Sequence, residues 1–362
     1  MHTTVVGSNQ GFSLFMIFVG RVFHRRFVFS RVSIPRDFTF HNMATTTEVA
    51  ASHNFNWQQT MLRIKDPLVT VPFYESHFGF QMIHKYDFPQ WKFSLYFMAI
   101  LPEGVIAPAP NTQESEAFLW NLPKGISTLE LTHNHGSEND ASFAVNNGNE
   151  EPHRGFGHIA VMTPDVYAVS EELEAAGVKF RKRPDEGRMK GLAFCLCPDG
   201  YWIEIVKRGD SSPVKTKYSL AQTMIRVKDP KKSLHFYQNL LGMNLLRESH
   251  KSDFSLYFLS HAPIGSSDKD TYEPVIELTH NHGTEDNDNF SYHNGNAEEN
   301  GALRGFGHLG FLVDDLDKAC EFLEKEGCIF KKKPKDGNMH NLAFVYDPDG
   351  YWVELIQRGF AV

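Results

Sequence analysis

Cysteine is scarce. Cys195, Cys197, Cys320 and Cys328 are the only four in 362 residues, too few and too unevenly placed for a disulfide framework. They read as small buried side chains in a reducing compartment. Positive charge is in deficit as well: the formal net charge is −8, which disfavours a general nucleic-acid-binding role. The apolar run Phe12 to Val19 is far too short to cross a bilayer. CxxC and HExxH spacings are absent, which removes the standard structural-zinc and metalloprotease readings. A phosphate-binding glycine loop is missing too, because Arg154-Gly155-Phe156-Gly157-His158 has the wrong context for one. Acid is missing from the start: residues 1–36 hold five arginines, no lysine and no acid before Asp37. Such a segment reads either as a mitochondrial transit peptide or as sequence upstream of a start at Met43. The expected location is therefore cytoplasmic, or mitochondrial if the leader is genuine.

What is present is a tandem repeat. Arg154-Gly155-Phe156-Gly157-His158 returns as Arg304-Gly305-Phe306-Gly307-His308, and Gln59-Thr60-Met61-Leu62-Arg63 as Gln222-Thr223-Met224-Ile225-Arg226. The reading divides the chain into an extension (1–56), a first unit (57–208), a linker (209–218) and a second unit (219–362). Each opening strand ends at Asp-Pro, an N-cap followed by proline at the first helical position. The helix that follows should be kinked or irregular in repeat one, where Pro72 falls inside it. In repeat two it should run from Ser233 to the stop at Gly242. Residues 102–124, rich in Pro, Asn, Glu and Ala, read as an exposed loop. Second helices should span Val166 to Ala176 and Leu316 to Glu326, and Pro-Asp-Gly at 198–200 and 348–350 marks closing hairpins. Each repeat is thus β-α-β-β-β twice, an α+β chain of four such modules.

Three costly polar groups recur in apolar strands: Glu130, His158 and Glu204, then Glu277, His308 and Glu354. Strand side chains alternate faces, so Glu204 shares one with Trp202 and Val206 and has no charged neighbour on either side. A carboxylate so placed is costly to bury unless paired or bound to metal. Equal spacing of the two copies proves ancestry only; the argument for metal is the joint placement. Imidazole and carboxylate ligands without thiolate suit a catalytic Zn²⁺ or a harder divalent ion such as Mn²⁺, Co²⁺ or Ni²⁺.

In combination QQTMLR, KFSLYF, LELTHN, NNGNEEPHRGFGH and PDGYWIEI make both repeats resemble glyoxalase I (lactoylglutathione lyase), in the fused two-domain form known from fungi. The resemblance covers about residues 57–208 and 219–358. It implies the vicinal-oxygen-chelate fold of paired βαβββ modules and a Gln, Glu, His, Glu zinc shell. It also implies that the halves cross-pair. One site would use Gln59, Glu130, His308 and Glu354, the other Gln222, Glu277, His158 and Glu204. The implied reaction isomerises the hemithioacetal of methylglyoxal and glutathione to S-D-lactoylglutathione through a metal-stabilised enediolate. Glu354 and Glu204 would shuttle the proton, a role Glu130 and Glu277 could share.

For the glutathione anion the resemblance implies Arg63, Asn134, Arg304 and Lys332 at the first site. At the second it implies Arg226, Asn281, Arg154, Lys182 and Arg188. Asn338 stands where the other repeat has Arg188, so one carboxylate contact differs between the sites. With both halves of each site on one chain, a monomer with no membrane or nucleic-acid partner is expected. The alternatives are an extradiol-type Fe(II) dioxygenase, disfavoured by Gln where that site needs His, and a non-catalytic ligand-binding protein, disfavoured by the doubled metal shell.

Overall fold

The computed structural model describes residues 50, 52–297, 303–337 and 339–360; the N-terminal leader and Asn338 lie outside them. Four modules follow one another. The first holds β1 (Asn56–Ile64), α1 (Pro67–Phe78), β2 (Gln81–Phe88), β3 (Phe93–Ala99), α2 (Gln113–Leu119) and β4 (Thr128–Asn134). The second holds β5 (Phe156–Thr163), α3 (Val166–Ala175), β6 (Phe180–Lys182), β7 (Ala193–Leu196) and β8 (Trp202–Lys207). The third holds β9 (Ser219–Val227), α4 (Pro230–Leu234), β10 (Asn244–His250), β11 (Phe254–Ser260) and β12 (Val275–Asn281). The fourth holds β13 (Phe306–Val313), α5 (Leu316–Lys325), β14 (Phe330–Lys332), β15 (Leu342–Tyr346) and β16 (Trp352–Gln357).

The strands form two eight-stranded sheets, ordered β14-β15-β16-β13-β1-β4-β3-β2 and β10-β11-β12-β9-β5-β8-β7-β6. The first joins modules one and four; the second joins modules two and three. The seams are the antiparallel pairs β1 with β13 and β5 with β9. Each sheet therefore takes half its strands from each sequence repeat. At the centre of the molecule the hydroxyls of Thr60 and Thr223 meet at 2.7 Å, and Phe156 stacks on Phe306 with centroids 5.2 Å apart. The apolar faces of the helices and the outer faces of both sheets merge into one core.

Local chemistry explains the elements and two departures from expectation. Asp66, Asp165, Asp229 and Asp315 all cap their helices through side-chain bonds to backbone N–H. Asp199 of the first Pro-Asp-Gly turn accepts from Lys65 N at 2.6 Å and from the Thr70 hydroxyl at 2.6 Å, tying that hairpin to the start of α1. Pro72 does not break α1, which runs unbroken for 12 residues. Pro72 and Leu68 are both exposed, so the N–H that proline lacks is missing on the solvent side of the helix, where its loss costs least. The irregularity lies in repeat two, where α4 widens after five residues into a π turn over His235–Leu240.

The second departure is the 102–124 segment. Within it α2 forms a capping box, Thr112 with Ser115. Leu119, Trp120 and Leu122 are buried against Phe97, Leu312 and Ile356. The segment is a plug over the inner face of the first sheet rather than a free loop.

Candidate metal centres and the surrounding clefts

Register fixes the first site. Directly opposed residues in neighbouring strands point to the same face. Gln59 pairs with Gly310, Gly310 with Glu354, and Met61 with Glu130. His308 is two residues before Gly310 on the same face. Four strands from two repeats thus aim Gln59, Glu130, His308 and Glu354 at one point. His308 Nε2 lies 3.2 Å from Glu130 Oε2 and 3.0 Å from Glu354 Oε2. Gln59 Nε2 lies 2.9 Å from Glu354 Oε2 and 3.1 Å from His308 Nε2, and also bonds Glu130. The second site repeats this on β5, β8, β9 and β12. There His158 Nε2 is 3.3 Å from Glu204 Oε2 and 3.6 Å from Glu277 Oε2. Gln222 Nε2 is 2.8 Å from Glu204 Oε2 and 3.2 Å from His158 Nε2. All eight residues are buried.

Electrostatically each cluster calls for a cation. Burial opposes charge on His308, yet the Glu354 and Glu130 carboxylates outweigh it and push the imidazole up to about 9. His158 is pushed to about 9 in the same way by Glu204 and Glu277. Burial also raises Glu354 above the usual carboxylate range. In each cluster the His nitrogen and two carboxylate oxygens lie within 4.8 Å of one another. The Gln59 amide turns its nitrogen inward and leaves Oε1 buried with no hydrogen-bond partner. Half a turn about its last bond would bring the oxygen inward among the carboxylates, which is favourable when a cation sits between them. A divalent ion would neutralise two carboxylates and take the place of the imidazole proton, so the residues present fit one.

Around the clusters the structure adds residues that the motifs alone did not single out. Thr132 and Thr279 reach Glu130 and Glu277 with their hydroxyls, each at 3.3 Å. Asn296 accepts from Arg63 at 2.8 Å and donates to the Gly307 carbonyl at 2.6 Å. Asn149 does the same for Arg226 and Gly157. The signal in the sequence is the repeated Asn-Gly-Asn at 147–149 and 294–296. Gly155 and Gly305 are required by close approach: a Cβ there would lie 1.9 Å from the carbonyl oxygens of His293 and Asn146, each belonging to the other repeat.

The expected glutathione contacts are placed unevenly. Arg63 and Arg226 are buried, 4% and 7% exposed, and their guanidinium groups bond the carbonyls that open β13 and β5. They buttress the histidine strands. Lys182 and Lys332 stand on the inner face beside Phe194 and Phe344. Their ammonium groups bond the Leu192 and Leu342 carbonyls at 2.6 and 2.9 Å. Burial lowers both below the usual lysine range. Arg154 and Asn281 meet in a cleft of about 130 Å³ walled by Tyr292 and Phe290. Asn134 ends β4 and Arg304 lies two residues before the start of β13. Arg188 is exposed, and its counterpart Asn338 lies outside the described residues.

The Glyoxalase/Bleomycin resistance protein/Dioxygenase superfamily profile matches residues 57–205 and 219–355. A Saccharomyces cerevisiae protein named Glyoxalase I is 46% identical over 311 residues, 83% of this chain and 91% of its own. A Schizosaccharomyces pombe lactoylglutathione lyase is 37% identical over 87% of this chain and all of its own. The crystal structure of glyoxalase I from Zea mays superposes with a TM-score of 0.62 at 25% identity, over 85% of this chain and 94% of that one. Two cross-paired βαβββ sheets, two buried Gln/Glu/His/Glu clusters and these likenesses together establish that the chain belongs to the glyoxalase I family, in its two-repeat form.

Proposed function

We propose that the chain is a lactoylglutathione lyase with two zinc-dependent sites, each built from both repeats, acting as a monomer. The observation that carries the reading is the convergence of Gln59 and Glu130 with His308 and Glu354, and of Gln222 and Glu277 with His158 and Glu204, in buried polar clusters. A divalent ion held by each set would supply Lewis-acid polarisation of the oxygens beside the migrating hydrogen. Glu354 and Glu204 are the proposed bases. Each takes the carbon-bound proton from the first carbon of the glutathione hemithioacetal and returns it to the neighbouring carbon. Glu130 and Glu277, oriented by Thr132 and Thr279, share this work as positioned carboxylates.

For the anionic glutathione we propose Arg154, Asn281, Lys182 and Arg188 around one cluster and Arg304, Asn134 and Lys332 around the other, with Arg63 and Arg226 as supports. Among the described residues no helix is long and apolar enough to cross a membrane. Purified protein loaded with zinc should form the thioester from methylglyoxal only when glutathione is present. Equal turnover without glutathione, or none with it, would overturn the proposal. A dioxygenase reading is disfavoured by Gln59 and Gln222 at the first ligand position.

A further inference from the structure

The two clusters share a ligand set, but the residue before the glutamine differs. Gln58 precedes Gln59, and Ala221 precedes Gln222. Both sit at a bulge. Trp57 is opposite Phe311 and Gln59 opposite Gly310, so Gln58 has no residue across from it. Leu220 is opposite Val161 and Gln222 opposite Ala160, which leaves Ala221 in the same position. A bulge re-aims the extra side chain. Ala221 packs with Ala160, Met162 and Val206, and Ala160 is opposite both Gln222 and Glu204. The bulge residue therefore lies on the cluster side of the sheet, beside the glutamine ligand.

In the first sheet this place holds an amide with nothing to bond. Gln58 is 0% exposed, and neither its Oε1 nor its Nε2 has a hydrogen-bond partner. Burying such a group is costly unless something satisfies it. Gln59 is 1% exposed, and its own Oε1 is buried without a partner. It is pressed onto Gly310, where a Cβ would lie 2.4 Å from its Cγ. Gln222 is 6% exposed and has Ala160 at the equivalent position.

Turning the Gln59 amide brings the two together. A cation draws Gln59 Oε1 inward, and the amide N–H groups then face outward into a region sealed from water. A buried N–H without an acceptor would oppose that turn. Gln58 Oε1 is an acceptor one residue away with no other claim on it. At the second cluster Ala221 offers no polar atom, so water must meet the outward N–H of Gln222.

We propose that Gln58 is a positioning residue for the first metal centre: its amide oxygen accepts from Gln59 Nε2 and holds Gln59 Oε1 toward the ion. Partners behind a metal ligand fix its orientation, and their loss typically changes metal affinity by about 10- to 100-fold. The inference rests on each cluster holding a divalent ion, as in the proposed lyase.

The test is a zinc competition titration of the full chain against a chromophoric chelator, read without substrate. The parent should bind two ions. Gln58→Met keeps the length of the side chain and removes both polar atoms. It should weaken one of the two ions about tenfold and leave the other unchanged. Gln58→Ala opens room for a water in place of the amide, so it should weaken that ion less than Gln58→Met does. A merely structural role gives the opposite order, because Ala leaves a cavity that Met fills. Unaltered affinities in both variants, or a larger loss with Ala than with Met, would overturn the proposal. A crystal structure of the zinc-loaded parent tests it without any substitution. Gln58 Oε1 should lie within hydrogen-bond distance of Gln59 Nε2, and a Gln58 amide bonded elsewhere would overturn the proposal. Failure of the parent to bind zinc at all would instead overturn the metal reading on which it rests.

Discussion

At the scale of single residues, carboxylates and imidazoles in apolar strands were legible because their burial has a physical cost. Gln59 and Gln222 were not, since an amide at a strand start carries no such signal; only the family resemblance named them. Arg63 and Arg226 bond the carbonyls that open the histidine strands, a role that the sequence alone does not distinguish from an anion contact. A pH prediction belongs here. Burial pushes His261 down to about 4, with Nε2 of the neutral ring held 3.0 Å from the Leu241 carbonyl and its face edge-on to Phe311. The folded value lies below the unfolded one near 6.5, so the unfolded chain binds the proton more readily. The stability contribution is complete above about pH 6.5 and is lost as pH falls toward 4. Allowing for the ring's partial exposure, the loss is about 2–3 kcal/mol. Denaturant melts at pH 4.5 and 7 should show a smaller pH difference for His261→Gln than for the parent; an unchanged difference would exclude His261 as a source.

At the scale of elements, strands and caps were readable from alternation, Asp-Pro and Pro-Asp-Gly. The plug was missed because its composition suggested a loop, although Thr112, Ser115 and the spacing of Phe118, Leu119 and Leu122 carry a helix start and an apolar stripe. Thr112→Ala removes the cap from α2 and should destabilise it by about 1 kcal/mol. The plug packs on the first sheet, so turnover should fall in Glu204→Gln carrying this change and hold steady in Glu354→Gln carrying it. A second change acts on the seam between repeats. Gly305→Ala drives a methyl group into the Asn146 carbonyl, which is backbone and cannot swing aside. A melting temperature lowered by several degrees should follow; an unchanged Tm would mean that the loops separate freely.

At the scale of the whole molecule, no periodicity in the sequence says that module one pairs with module four. Duplication explains two equal repeats and would equally permit two self-contained ones. The antiparallel seams settle the arrangement in the fold, because Gln59 of β1 is opposite Gly310 of β13, two residues from His308 on the same face. Repeats expressed separately should therefore be inactive as strict monomers and regain turnover on mixing. If each cluster holds a divalent ion as proposed, its removal by a chelator should lower stability, since an ion bound only by the folded chain adds its binding free energy.

The central claim, that each site spans both repeats, is tested most directly by the turnover of two double variants. Glu130→Gln with Glu354→Gln places both changes in one cross-paired site although they lie in different repeats. Glu130→Gln with Glu204→Gln places them in one repeat but in different sites. The account predicts that the first pair retains the full activity of the second site and that the second pair loses nearly all thioester formation. The reverse result, activity in the second pair and none in the first, would contradict it.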